Sequence, residues 1–173
     1  MTIVFAAYLL LHTLANSTAP IAPTASLPVK LEGKSEGLVY LPERNAQNDV
    51  EFALSDAKAS GKAVVIIMGA NWCHDSTGLA GRLNTPRFVD MMRDRYRIVY
   101  VDVGKPQIGK GRNLDIAKRL GIKNVKNTPL VMLVSADGIM LNSKKDAASW
   151  RNAASRSEED IFRYFAEFKP TAK

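Results

Sequence analysis

The stretch Ala63-Val64-Val65-Ile66-Ile67-Met68 constrains the fold more than any other part of the chain. It is apolar throughout and shows no alternation of polar and apolar positions. A strand with one wet face alternates, whereas a strand covered on both faces does not. The run is short, rich in β-branched residues and bounded by Gly61 and Gly69, which favours a strand over a buried helix. A chain with such a segment must place other elements on both faces of a sheet.

The remaining pattern supplies those elements. Val50, Ala53, Leu54 and Ala57 recur at helical spacing, so a helix is expected over about Asn48 to Ser60, ended by Gly61. Residues 38–41 read as a short strand before it. A helix starts near Cys73 and runs towards Arg82. Thr85-Pro86 starts another, since threonine can cap and proline suits the first helical position. Phe88, Val89 and Met92 form its inward stripe. Arg97 to Val103 is a strand, Lys105 to Gly111 a loop, and Leu114, Ala117 and Leu120 mark a short helix stopped at Gly121. Leu130 to Val134 is a strand. The turn Ala136-Asp137-Gly138 returns Ile139-Met140-Leu141 as its hairpin partner. Lys144 to Arg156 reads as an irregular excursion anchored by Trp150. Ser157 then caps a last helix with Ile161, Phe162, Phe165 and Phe168 inside. This alternation implies an α/β fold with helices on both faces of the sheet.

The 173 residues suit one domain plus a tail. The apolar fraction of 46% and charged fraction of 24% are ordinary for a globular protein. The net charge of +7 could attract nucleic acid, an anionic membrane surface or acidic proteins. The basic residues are spread along the chain rather than gathered into one block, and no aromatics interleave with them. Nucleic acid is therefore not an expected partner.

Ile3 to Leu11 is an apolar run too short for a bilayer span, which takes about 20 residues. It fits the apolar core of a secretory signal, and Thr13 to Ser17 offers small residues for cleavage. The segment before it has no Lys or Arg, so a mis-assigned start or an uncleaved tether stay open. Thr18 to Pro28 carries three prolines among small residues and reads as an extended spacer. The expected organisation is a signal and spacer over 1–28 and a domain over 38–169. The expected location is periplasmic or secreted, with no stable membrane span after cleavage. It becomes cytoplasmic or membrane-tethered if the run is not cleaved.

Cys73 is the single cysteine, and it follows the buried strand and opens a helix. First-turn amides and the helix dipole favour negative charge there. They favour the thiolate, which is the nucleophile in disulfide exchange. His74, if protonated and close, adds to this, and Asp75 opposes it. A buried, inert cysteine is the alternative. In an oxidising compartment an unpaired thiol points to a reactive role or an intermolecular disulfide. His12 and His74 are the only histidines, so no zinc or iron–sulfur site is expected. His74 and Asp75 are adjacent, which is poor chelate geometry, and Ser76 with His74 makes no hydrolase triad. Gly104 to Arg112 lacks the Gly-Lys-Ser/Thr ending of a phosphate loop. It reads as a solvated loop, and its place after the Asp102 strand puts a basic rim beside the site. Such a rim could attract an acidic substrate or the carboxylates of glutathione.

Residues 62–168 resemble a thioredoxin-family domain, with 48–61 as its preceding helix. The match rests on an apolar strand leading into Trp72-Cys73-x-x-Ser76, on Asp102 near the end of the next strand, and on Thr128-Pro129 before the Leu130–Val134 strand. The shape around Asn71 to Ser76 also resembles bacterial thioredoxin-like proteins that retain only the first cysteine. The resemblance implies a three-layer fold with a central mixed β-sheet. It implies the nucleophile role for Cys73 and a cis bond at Pro129, facing the cysteine. A cis proline there leaves the Thr128 backbone exposed for a substrate strand. Trp72 covers the thiol or contacts substrate.

Two departures shape the expected chemistry. Ser76 stands where a resolving cysteine would be. It cannot attack a disulfide, but its hydroxyl can donate to a Cys73 thiolate. The central strand also lacks the buried acid that dithiol members often carry, having Val65-Ile66-Ile67 instead. The expected site is Cys73, Ser76 and His74 for chemistry, with Trp72, Thr128 and Pro129 for substrate. Three uses remain open. In the first, Cys73 exchanges with a disulfide and awaits an external thiol, with glutathione as co-substrate, serving isomerisation or deglutathionylation. In the second, it holds a partner as a lasting mixed disulfide or a non-covalent client. In the third, the thiol is vestigial, and the domain is a non-enzymatic binding or chaperone module. No bound cofactor or metal is expected. The expected partner is a disulfide-containing or glutathionylated protein, and the chain is expected to be monomeric.

Overall fold

The structure of the protein is a computed structural model that describes residues 37–168. The apolar run at 3–11, the small residues at 13–17, the spacer at 18–28 and residue 169 lie outside the described residues.

Helix α1 spans Ala46–Ser60. The Asn45 side chain accepts from the Asn48 amide, and Gly61, at φ +67°, ends the helix with its N–H on the Ala57 carbonyl. Strand β1 is Ala63–Gly69, followed by α2 (His74–Leu83), α3 (Pro86–Arg95) and β2 (Tyr96–Asp102). A small hairpin follows, with β3 (Gly104–Lys105) and β4 (Lys110–Gly111) joined through a 3-10 turn at Pro106–Ile108. Then come α4 (Leu114–Arg119), β5 (Leu130–Val134), α5 (Lys144–Ser149), a 3-10 turn at Trp150–Ser155 and α6 (Glu158–Glu167).

The main sheet has the order β2-β1-β5. Strand β1 is central, parallel to β2 and antiparallel to β5, with Gly69 opposite Asp102 and Met68 opposite Leu130. Its side chains alternate between two cores. Val64, Ile66 and Met68 pack with α1 and α4 through Val50, Ala53, Ala57 and Ile116. Val65 and Ile67 pack with α2, α3 and α6 through Leu79, Phe88, Met92 and Phe165. The unbroken apolar run is thus explained: both faces of β1 are covered. The chain has the expected α/β fold, a mixed sheet between two helical layers.

Several local expectations need correction. Residues 38–41 are irregular, with bends at Val39 and Tyr40, and form no strand. The Asn71 side chain accepts the amides of Val39 and Tyr40 and donates to the Tyr40 carbonyl. A side chain therefore satisfies backbone groups that a ladder would otherwise have to satisfy. The Tyr40 ring is fully buried, and a Cβ at Gly69 would lie 2.5 Å from it, so only glycine fits there. Thr85 makes no side-chain cap, because its hydroxyl turns back and donates to the Arg82 carbonyl at 2.9 Å. The 105–111 loop is the β3–β4 hairpin. Ile139 to Leu141 pairs with β5 only at the Val134–Met140 bridge. Beyond it, the Asn142 side chain accepts the Leu133 amide and donates to the Val131 carbonyl, both at 3.0 Å, taking the place of a strand. The excursion at 144–156 is helical, and Trp150 is fully buried within it. No helix among the described residues is long and apolar enough to cross a membrane.

Candidate functional site

One end of the sheet gathers three connections. Strands β1 and β2 end there and β5 begins there, as their parallel and antiparallel pairings require. The connection after β1 carries Trp72 and Cys73. The one after β2 carries the hairpin. The one before β5 carries Thr128 and Pro129.

Cys73 is the N-cap of α2, with φ −93° and ψ 114°. Its amide donates to the Ala70 carbonyl at 3.0 Å, and its carbonyl accepts the Thr77 amide at 3.0 Å. Its side chain makes no capping bond. Instead the half-buried thiol donates to the Thr128 carbonyl, 3.4 Å from Sγ. The Thr128–Pro129 bond is cis. Sequence positions 55 apart therefore meet, and the thiol stands beside the residue that precedes the cis proline.

The other expected site residues are arranged less simply. Ser76 is fully buried, and its Oγ has no hydrogen-bond partner, so it does not donate to the thiol. It sits one helical turn past the cap on the inner side of α2, where its carbonyl accepts from the Tyr40 hydroxyl at 3.2 Å. His74 is exposed at the first helical position, and its ring has no hydrogen-bond partner among the described residues. Asp75 points away from the thiol chemistry: its Oδ1 accepts the Ala154 amide at 2.7 Å, tying α2 to the 3-10 turn. Thr128 is only 8% exposed, and its backbone carbonyl is engaged within the chain rather than free for a substrate strand. The thiol itself occupies its carbonyl. Trp72 is 47% exposed, and its indole N–H donates to the Gly104 carbonyl at 2.8 Å.

Asp102 closes β2 and is 7% exposed. Its Oδ2 lies 3.2 Å from Arg112 Nε, without the alignment of a hydrogen bond. Burial pushes its carboxyl above the ordinary carboxylate range, against the opposing pull of the Arg112 charge and the Gly104 amide. Burial likewise raises the Tyr40 and Tyr100 hydroxyls, whose rings meet edge to face at 5.7 Å. Asn71 and Tyr40 were not legible as parts of the site, because their contact joins segments 31 positions apart. Among the described residues no group of three His, Cys, Asp or Glu side chains could hold a metal ion.

The geometry places a thiol at the start of α2, with no side-chain cap of its own. It provides one backbone acceptor, the Thr128 carbonyl, held against that thiol. It provides no second thiol, since Cys73 is the single cysteine.

Residues 45–136, just over half of the chain, match the profile of a family described as thioredoxin-like. The chain is also similar to the crystal structure of a disulphide isomerase from Xylella fastidiosa Temecula1. That likeness has 28% sequence identity and a TM-score of 0.67, and covers 75% of this chain and 95% of the other. No curated protein matches the chain.

Proposed function

The chain belongs to the thioredoxin-like family, and on that premise we propose that it performs monothiol thiol–disulfide exchange on protein substrates through Cys73. The observation that carries this reading is the half-buried Cys73 thiol at the start of α2, held on the Thr128 carbonyl beside cis-Pro129. The likeness to a disulphide isomerase supports it.

In the proposed reaction the thiol loses its proton and, as a thiolate, can no longer donate to Thr128. That frees the Thr128 carbonyl to accept an amide from an extended substrate segment, while Trp72 and Pro129 flank the segment. The thiolate attacks one sulfur of the substrate disulfide. A Cys73–substrate disulfide forms, the substrate S–S bond breaks, and the departing sulfur leaves with the electron pair and takes up a proton. Ser76 cannot expel the bound substrate. A second thiol must do so, forming a new disulfide with the substrate sulfur and returning Cys73 as a thiolate. When that thiol belongs to the substrate, the outcome is isomerisation with no net redox change. When it is glutathione, the outcome is exchange with a glutathione adduct. The exposed His74 follows Cys73 directly at the first position of α2, and it is the proposed neighbour of the entering substrate. The apolar run at 3–11 supports placing this activity in an oxidising compartment.

The test follows Cys73 by intact mass. Reduced protein mixed with a peptide carrying a neutral mixed disulfide should gain the peptide mass, and added glutathione should release it. Cys73→Ala should gain nothing. Absence of the adduct, together with a partner protein that Cys73→Ala still retains, would overturn exchange in favour of a non-enzymatic binding module.

A further inference from the structure

The chain has 24 Lys and Arg against 17 Asp and Glu, a net +7. Residues 104–127, from the end of β2 to the residue before Thr128, hold seven of the basic residues and one acid, Asp115. This segment alone therefore carries +6. Its charges look scattered in sequence, yet its two ends, the hairpin and the strand-entry loop, both lie at the end of the sheet that carries Cys73.

Two of the seven have partners there or on α1. Arg112 approaches Asp102, and Arg119 pairs with Glu51 at 2.9 Å. Lys105, Lys110, Lys123 and Lys126 are exposed and have no acidic partner among the described residues. Lys105 and Lys110 are direct register partners across the hairpin. Like charges placed opposite each other on an antiparallel pair destabilise it. The hairpin nevertheless has a firm root. Val103 donates to the Gly69 carbonyl at 2.9 Å, Arg112 donates back to Val103 at 3.0 Å, and the Asn113 side chain donates to Asp102 at 2.9 Å. Trp72 clasps Gly104, so the residue before Cys73 and the hairpin form one continuous edge. Gly104 sits at φ +62°, where a Cβ would come 2.6 Å from the Lys110 carbonyl, so the hairpin closes tightly. Ile108, 63% exposed, lies in the turn between the two lysines.

A facing pair of unneutralised lysines on a fixed hairpin costs folding stability, and an anionic partner would offset that cost. We infer that this rim selects protein substrates whose reactive cysteine is flanked by Asp and Glu. The inference rests on the exchange proposed for Cys73 and names its substrate class. The rim borders the thiol, so a bilayer seated on it would cover Cys73, whereas an acidic segment can lie along it and still present its sulfur.

Two peptides test this, each with one cysteine as a mixed disulfide with 2-mercaptoethanol, flanked either by Asp and Glu or by Lys and Arg. The rate of adduct formation on full-length protein is divided by each peptide's rate with free 2-mercaptoethanol. The acidic peptide should react about tenfold faster or more at low ionic strength. The advantage should shrink as added salt shortens the screening length below about 8 Å. Lys105→Glu alone gives an opposite-charge pair with Lys110, keeping the hairpin closed, and should cut the preference. Lys105→Glu with Lys110→Glu should abolish or reverse it. Equal normalised rates at low salt, or a preference that neither variant moves, would overturn the acidic-substrate inference while leaving exchange intact. Sedimentation with anionic vesicles accompanied by loss of thiol accessibility would also overturn it. Failure to form any adduct, even with the neutral 2-hydroxyethyl disulfide, would overturn the exchange reading and this inference with it.

Discussion

Ser76 and Asp102 are both buried, and each has an oxygen that no hydrogen bond reaches. Sequence alone identified Ser76 by its spacing from Cys73, but spacing does not say which way a side chain turns. At the third residue of α2 it turns inwards, and the thiol finds the Thr128 carbonyl instead. Asp102 yields the sharper prediction. Its carboxyl is raised chiefly by burial, so the folded chain holds that proton to higher pH than the unfolded chain. The ionisation cost is absent below the ordinary carboxylate range near pH 4 and grows as pH rises through the raised value. Asp102→Asn removes the cost. The variant should match the wild type in urea midpoint near pH 3 and exceed it at pH 7. A variant that is less stable at pH 7 would mean that the Arg112 charge outweighs burial.

Among the elements, the α5–turn–α6 segment depends on one side chain. Trp150 is fully buried, its ring 5.4 Å from that of Phe165 and 4.8 Å from that of Tyr164, with the Arg156 guanidinium 4.1 Å from its centre. Trp150→Ala should cost about 3–5 kcal/mol, read as a fall in the midpoint of chemical unfolding. A loss under about 1 kcal/mol would show that the segment closes over the gap. Anchoring by Trp150 was legible in the sequence, because a lone indole in a polar stretch needs a place to be buried. The helical form of the stretch was not, since Lys144 to Ser149 makes less than two turns and shows no clear stripe. The central strand was legible because six consecutive apolar residues leave few alternatives. The β3–β4 hairpin was not, because two-residue strands leave no period to read. The strand expected at 38–41 failed for a different reason: Tyr40 is buried in the core and Val39 packs against it, but Asn71 supplies the hydrogen bonds.

Over the whole molecule, the two cores make stability uneven. Strand β1 is paired on both edges and buried on both faces. Its amides should open only with global unfolding and exchange with solvent most slowly. The hairpin at 104–111, with exposed residues and a repelling lysine pair, should exchange much sooner. Hydrogen exchange followed by mass spectrometry checks both, and equal protection of the two segments would contradict this gradient. The α/β class was legible at this scale because alternating apolar segments leave few ways to bury themselves. The basic rim at 104–112 was legible from its place after the β2 strand, but the arrival of Lys126 at the same end was not, because it depends on β5 running antiparallel from there.

The solitary sulfur on the Thr128 carbonyl has a consequence for what this protein can remember. A dithiol protein can leave a substrate carrying a closed disulfide, and so transport an oxidising equivalent to another place. With Cys73 as its one cysteine, this chain cannot form an internal disulfide. Released as a free thiol, it carries no record of the encounter, and any state it keeps is a molecule still attached to it.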